Sequence, residues 1–182
     1  VYFFSRLAGM FHLRDGILQE HSKAQAQKVA EWVGSNEKRF KELLELFLYD
    51  EYCVVQRAAW IISLVAERHK ELIEPHLTAM VRHMTDRNLH VAAKRNILRV
   101  LQHVTIPEEL HGEVMNSCFK FFEDVKETIA VRCFSMTVLA NLAKHYPEIK
   151  QEIKFVIEAG LENGASAGFR SRAKRTLSEL GI

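Results

Sequence analysis

DVKETIAVRCFSMTVLANL, residues 124–142, opens on an aspartate, reaches an arginine eight positions later and carries a leucine seven positions beyond that arginine. The stretch DEYCVVQRAAWIISL, residues 50–64, has the same order of residue types. Taking Arg57, Lys94, Arg132 and Arg170 as anchors, the separations are 37, 38 and 38 residues, and Leu64, Leu101, Leu139 and Leu177 each lie seven positions past an anchor. Seven or eight residues before each anchor stands Asp50, Asp86, Asp124 or Asn163, types whose short side chains cap helices or make turns. A pattern at a fixed period of about forty residues is the mark of a stacked repeat.

Each anchored segment follows a second amphipathic one. Near 37–49 the apolar positions are Phe40, Leu43, Leu44 and Phe47, and near 74–84 they are Leu77, Met80, Val81 and Met84. Near 108–122 come Leu110, Val114, Cys118, Phe119 and Phe122, and near 148–161 Ile149, Ile153, Val156, Ile157 and Leu161. All four have the helical period. Pro107 and Pro147 suit a first helical turn, and Pro75 either does the same or kinks a longer helix. Upstream, HSKAQAQKVAEWVG (21–34) reads as a helix burying Ala26, Val29, Ala30 and Val33 and ended by Gly34.

Two antiparallel helices of this size cannot bury their apolar faces alone, so neighbouring units must stack around a shared core. The fold class expected is all-α, a right-handed α-solenoid of antiparallel helix pairs. Residues 1–35 are expected to be capping helices or a divergent repeat, and 36–182 four repeats, about 36–70, 71–106, 107–146 and 147–182. On the quoted stretches the sequence resembles the HEAT repeats of the armadillo-like class. The resemblance implies that Asp50, Asp86 and Asp124 with Arg57, Lys94, Arg132 and Arg170 form a structural ladder between units, with Lys94 and Asn163 departing from the usual Arg and Asp.

Composition agrees with a helical globular chain: of 182 residues, 48% are hydrophobic and 26% charged, and 8 Gly and 3 Pro are too few for a strand-rich fold. Lys+Arg 25 against Asp+Glu 23 leaves +2, too little for a general nucleic-acid coat although charge can still gather on one face. Cys53, Cys118 and Cys133 have no zinc spacing and cannot all pair, which points to a reducing compartment, the cytoplasm, and to small core residues rather than nucleophiles. The opening VYFFSRLAGMFHLRDG is interrupted by Arg6 and reads as a terminal helix packing Phe3, Phe4, Leu7 and Phe11 rather than a leader. No membrane span is expected.

Positions two, five and nine past each anchor lie opposite the anchor stripe on a helix. They are Ala59, Ile62 and Ala66, then Asn96, Arg99 and His103, then Phe134, Thr137 and Asn141, and last Arg172, Arg175 and Glu179. If the second helices line the inner curve, as the resemblance implies, these positions form a concave strip that changes from apolar to polar to basic. A partner-binding set of Ile62, Asn96, Arg99, His103, Phe134, Asn141, Arg172 and Arg175 follows, the partner being another protein or an extended peptide. Arg170, Arg172, Lys174 and Arg175 in FRSRAKRTLSEL (169–180) support nucleic acid as the second reading.

Chemistry is sparse. His76 and His83 lie seven apart without a third ligand and no HExxH occurs, while His69 and His145 fall at the ends of second helices, where an imidazolium suits the helix dipole. No GxSxG, P-loop, dinucleotide-binding or kinase motif is present. Trp60 has no acid one turn ahead of it, so the constellation of the HEAT-like alkylpurine DNA glycosylases is missing, as is the signature loop of the fumarase and aspartase superfamily. The expected function is a non-catalytic interaction scaffold with no cofactor and no metal.

Overall fold

The structure is a computed structural model describing residues 12–86, 89 and 91–182. The expected helix holding Phe3, Phe4, Leu7 and Phe11 lies outside the described residues. Among those residues every regular element is a helix. They are α1 Leu13–Leu18, α2 Lys23–Val33, α3 Glu37–Tyr49, α4 Tyr52–Arg68, α5 Lys70–Ile73 and α6 Leu77–Met84. Then come α7 Val91–Leu101, α8 Glu108–Glu123, α9 Ile129–Leu142, α10 Lys150–Glu162 and α11 Ala167–Leu180. Short 3-10 turns at Glu74–His76 and Pro147–Ile149 lead into α6 and α10. Pro75 thus sits in a break between α5 and α6, because proline withholds the N–H that a continuous helix needs there.

Helix boundaries follow local chemistry. The hydroxyls of Ser22, Thr128 and Ser166 and the side-chain oxygen of Asn36 accept the backbone N–H three residues on, opening α2, α9, α11 and α3. Gly34 ends α2 at φ 51°, a conformation that costs an L side chain but not glycine. Asp50, Asp124 and Asn163 are helix C-caps rather than N-caps. Asp50 and Asp124 accept the backbone N–H of Glu51 and Lys126, and Asn163 donates to the Ala159 carbonyl. Asp50 and Asp124 thus bond backbone N–H groups of a turn as expected, whereas Asn163 serves a carbonyl of its own helix.

Two compact units emerge. The first runs from α1 through His76 and includes α7 up to Asn96; the second comprises α6, the rest of α7 from Ile97, and everything beyond it. In the first, α4 packs against α1, α2 and α3. Its core holds Leu13, Ile17, Val29, Phe40, Leu43 and Phe47, none more than 2% exposed, each contributing about 1.5–3 kcal/mol by leaving water. In the second, α9 packs against α8, α10 and α11, and Val114, Phe122, Met136, Leu139, Ile153 and Phe169 are buried. The expected core faces of α2, α3 and α6 are buried throughout. Phe119 and Ile149 instead are half-buried, and Leu161 is exposed.

Two of the anchor arginines satisfy helix ends, whereas Arg170 bonds the Ala165 carbonyl in the loop before α11. Arg57 Nη1 donates to the carbonyls of Ile17 (3.4 Å) and Leu18 (2.8 Å) at the end of α1, and Arg132 Nε donates to that of Phe122 near the end of α8 (2.9 Å). The last carbonyls of a helix have no partner within it, so a cation there supplies both hydrogen bond and charge. At Arg57 and Arg132 this differs from the ladder implied by the resemblance, and Asp50 takes its guanidinium from Arg14 of α1, through Nε–Oδ2 at 3.0 Å and Nη2–Oδ1 at 3.2 Å.

Candidate functional site

The α7, α9 and α11 side of the second unit carries an open groove of about 550 Å³. Arg99 of α7, Phe134, Thr137 and Asn141 of α9, Arg172, Arg175 and Glu179 of α11, and His103 just past α7 all line it. Eight of the twelve positions expected to face outward thus come together, because each sits at an equivalent turn of its own second helix. Phe134, Thr137, Asn141, Arg99 and Arg172 are half-buried, and His103, Arg175 and Glu179 are exposed. Two lining residues, Gln102 and Lys144, escaped the sequence reading. Gln102 is one position off the repeating offset and Lys144 follows the end of α9, so helical periodicity gives no signal for either.

Hydrogen bonds hold the floor of the groove. The Asn141 amide donates to the Gln102 carbonyl at 3.2 Å, Lys144 Nζ donates to Asn141 Oδ1 at 3.2 Å, and Arg172 Nη1 donates to Thr137 Oγ1 at 2.5 Å and Gln102 Oε1 at 3.5 Å. Arg175 Nε pairs with Glu179 at 2.8 Å. Gln102, His103, Asn141 and Lys144 also line an adjoining depression of about 720 Å³ that reaches His111 and Tyr146. There His111 Nε2 lies 2.8 Å from the Ile106 carbonyl, which can only accept; Nε2 therefore carries the proton, and in the neutral ring Nδ1 accepts from the Tyr146 hydroxyl at 3.1 Å.

The remaining expected positions need correction. Ile62 is 0% exposed and Ala59 and Ala66 are buried with it, because α4 is covered by α1, α2 and α3 and its buried residues extend around more than half its circumference. On α4 the inward side is the one expected to face out, and Leu64 is only half-buried. Asn96 is 4% exposed, its amide donating to the Ala92 carbonyl of its own helix at 2.7 Å, which lets a polar side chain sit inside without an orphaned donor. Ile62 and Asn96 therefore cannot touch a partner as outward side chains.

Cys118 and Cys133 are buried core residues, as their apolar neighbours in sequence lead one to expect. Burial pushes Cys118 up to about 12, and it also raises Cys133, against the opposing fields of Arg172 and Arg132. Among the described residues no three His, Cys, Asp or Glu side chains are grouped to hold a metal ion, and no helix is long and apolar enough to cross a membrane. His69 closes α4 as expected, with Nδ1 3.1 Å from Glu71.

The comparisons with known proteins bear on the fold rather than on the groove. Neither the search of curated proteins nor that of solved structures yields a match. The profile of the HEAT repeat domain matches residues 13–180, nearly the whole chain and both compact units. With helix pairs repeating at about 38 residues, the chain belongs to the HEAT repeat domain family.

Proposed function

We propose that this chain is a non-catalytic scaffold that binds another protein through the groove of α7, α9 and α11, in a reducing compartment such as the cytoplasm. Domains of this family are generally non-catalytic. The observation that supports the binding face is the gathering of Arg99, Phe134, Thr137, Asn141 and Arg172, equivalent residues of three successive second helices, along one groove. A half-buried aromatic flanked by polar side chains is the composition of an interface centre rather than of a merely solvated helix face. The adjoining depression shares four lining residues with the groove, which suits an extended partner. The compartment rests on the three cysteines, all of them free.

Nucleic acid is the weaker reading because the cations of α11 are divided: Arg172 and Arg175 line the groove, whereas Arg170 and Lys174 do not, and Arg170 bonds the Ala165 carbonyl. Photo-crosslinking separates the face from the rest of the surface. A benzoylphenylalanine at position 134 captures a partner polypeptide from the source cell, and the same residue at exposed position 151 on α10 does not. Equal capture from both positions would remove the groove from consideration.

A further inference from the structure

We infer that the groove takes an extended polypeptide segment rich in carboxylates, an inference that rests on the groove being the partner-binding face. Four cations, Arg99, Lys144, Arg172 and Arg175, line it with a single carboxylate, Glu179. The chain as a whole is nearly balanced, 25 cations to 23 anions, so this excess is local. Arg175 alone among the four is paired with an acid. Arg172 and Lys144 bond neutral oxygens of Thr137, Gln102 and Asn141, which orient the cations without neutralising them. The Arg99 carbonyl accepts from Gln102 Nε2, while its guanidinium has no hydrogen-bond or ion-pair partner among the described residues.

Such an arrangement is prepared for anions. A guanidinium has five donors in a fixed fork, and Arg172 commits only Nη1 to the protein, leaving the other donors for a carboxylate in a charge-assisted bond. Glu179 already shows the form of the contact: a carboxylate 2.8 Å from Arg175 Nε, both side chains largely exposed. Phe134 lies in the same groove and offers apolar surface between the cations.

The spacing of the ligand follows from geometry. Packed helices lie about 8–10 Å apart, and an extended chain advances about 3.3 Å per residue. Carboxylates three residues apart therefore meet cations on successive second helices, and an apolar side chain between them reaches Phe134. Three cations without an acid are few for a phosphate backbone, whose binding grows with the number of phosphates neutralised, and Glu179 within the groove opposes a continuous polyanion.

The test uses the full chain and fluorescein-labelled dodecapeptides, (Glu-Leu-Ser)4 against (Gln-Leu-Ser)4 and (Lys-Leu-Ser)4, with a twelve-nucleotide oligothymidine, all by fluorescence anisotropy. The acidic peptide binds at least about tenfold more tightly than the glutamine peptide. Arg99→Gln weakens it about fivefold, and Glu179→Gln, which frees Arg175, strengthens it by a few-fold. Arg172→Gln is the larger lesion but also removes the bond to Thr137, so Arg99→Gln, which breaks no bond, decides the matter.

Equal binding of the acidic and glutamine peptides overturns the inference; if Phe134→Ala still weakens both, the protein-binding reading stands. Binding of the oligothymidine with no peptide bound overturns both. Absence of measurable binding by the acidic peptide at millimolar concentration overturns the inference as well.

Discussion

α4 and α9 are second helices with the same anchor pattern, yet they meet opposite environments. Five residues past the anchor, α4 has Ile62, fully buried, and α9 has Thr137, which faces the groove and accepts from Arg172. α4 lies among three helices of its unit that cover its sides, and its depression at Ile17, His21, Gln25, Arg57 and Trp60 holds only about 10 Å³, room for about one water. α9 keeps one narrow strip uncovered, and that strip opens on about 550 Å³. Repeat position thus fixes which residues are equivalent, whereas neighbouring elements fix which equivalents meet solvent.

The sharpest way to break this comparison is to place one charge at both positions. Ile62→Asp should cost more than about 4 kcal/mol, because a carboxylate without a partner would enter the core of the first unit. Thr137→Asp should cost far less, since its carboxylate meets Arg172 at the groove. Urea melts giving similar losses for the two would mean that α4 and α9 do not differ in cover.

Within α9 the contrast repeats at smaller scale. Leu139→Ala should cost about 2–5 kcal/mol through the cavity it leaves, Leu139 being 0% exposed. Asn141→Ala should cost about 1 kcal/mol, the net value of its bond to the Gln102 carbonyl, rather than nothing as helix-face reasoning alone suggests. A double melt in urea checks both, and an Asn141→Ala loss as large as that of Leu139→Ala would place Asn141 in the core.

Gly160→Ala sharpens the packing of the second unit. A Cβ there would stand 2.7 Å from Phe169 Cζ, and that ring is buried beside Phe122, with the Arg132 guanidinium 4.8 Å from its centroid. Alanine gains about 1 kcal/mol of helix propensity over glycine, but overpacking costs about 1–3 kcal/mol, so a net loss of up to about 2 kcal/mol is expected in thermal unfolding. A stabilised variant would show that the ring moves aside freely.

The smallest effect belongs to the Arg14–Asp50 pair of the first unit. The Arg14 guanidinium holds the Asp50 carboxyl below its ordinary range. A carboxyl with a depressed folded value contributes its stability above the unfolded value, near pH 4, and loses it as pH falls through the folded one. Asp50→Asn should therefore lower stability slightly at pH 7 and flatten the acid limb below pH about 4, read by urea melts across pH. An unchanged acid limb would assign that limb to other carboxyls.

Much of the fold was legible because its signals are local. The 3.6-residue period placed Phe40, Leu43, Leu44 and Phe47 on one buried face and Gly34 closed α2, whereas the caps that open α2, α3, α9 and α11 are Ser22, Asn36, Thr128 and Ser166 rather than the repeated Asp and Asn. The groove was legible in part, since residues three, four or seven apart on α9, Phe134, Thr137 and Asn141, or repeated from helix to helix share an orientation by geometry alone. Ile62 is covered although its offset matches that of the groove residues, and isoleucine between two alanines on one strip is the composition of a covered face. Asn96 is covered although it is polar, because its amide is satisfied by the Ala92 carbonyl of its own helix.

By itself the sequence determined the all-α repeat architecture, the register of the helix pairs and the equivalence of Ile62, Arg99, Thr137 and Arg175, because period, caps and breakers act over a few residues. Only the tertiary structure decided which of those equivalents are covered, that Arg57 and Arg132 bond backbone carbonyls rather than the repeated aspartates, and that Gln102 and Lys144 enter the groove. The cover of α4 and the bonds of the groove depend on what lies across from each helix, which comes from residues some thirty-five to forty positions away, and the Arg132 bond to Phe122 depends on how α9 folds back on α8, which no side-chain pattern along a single helix records.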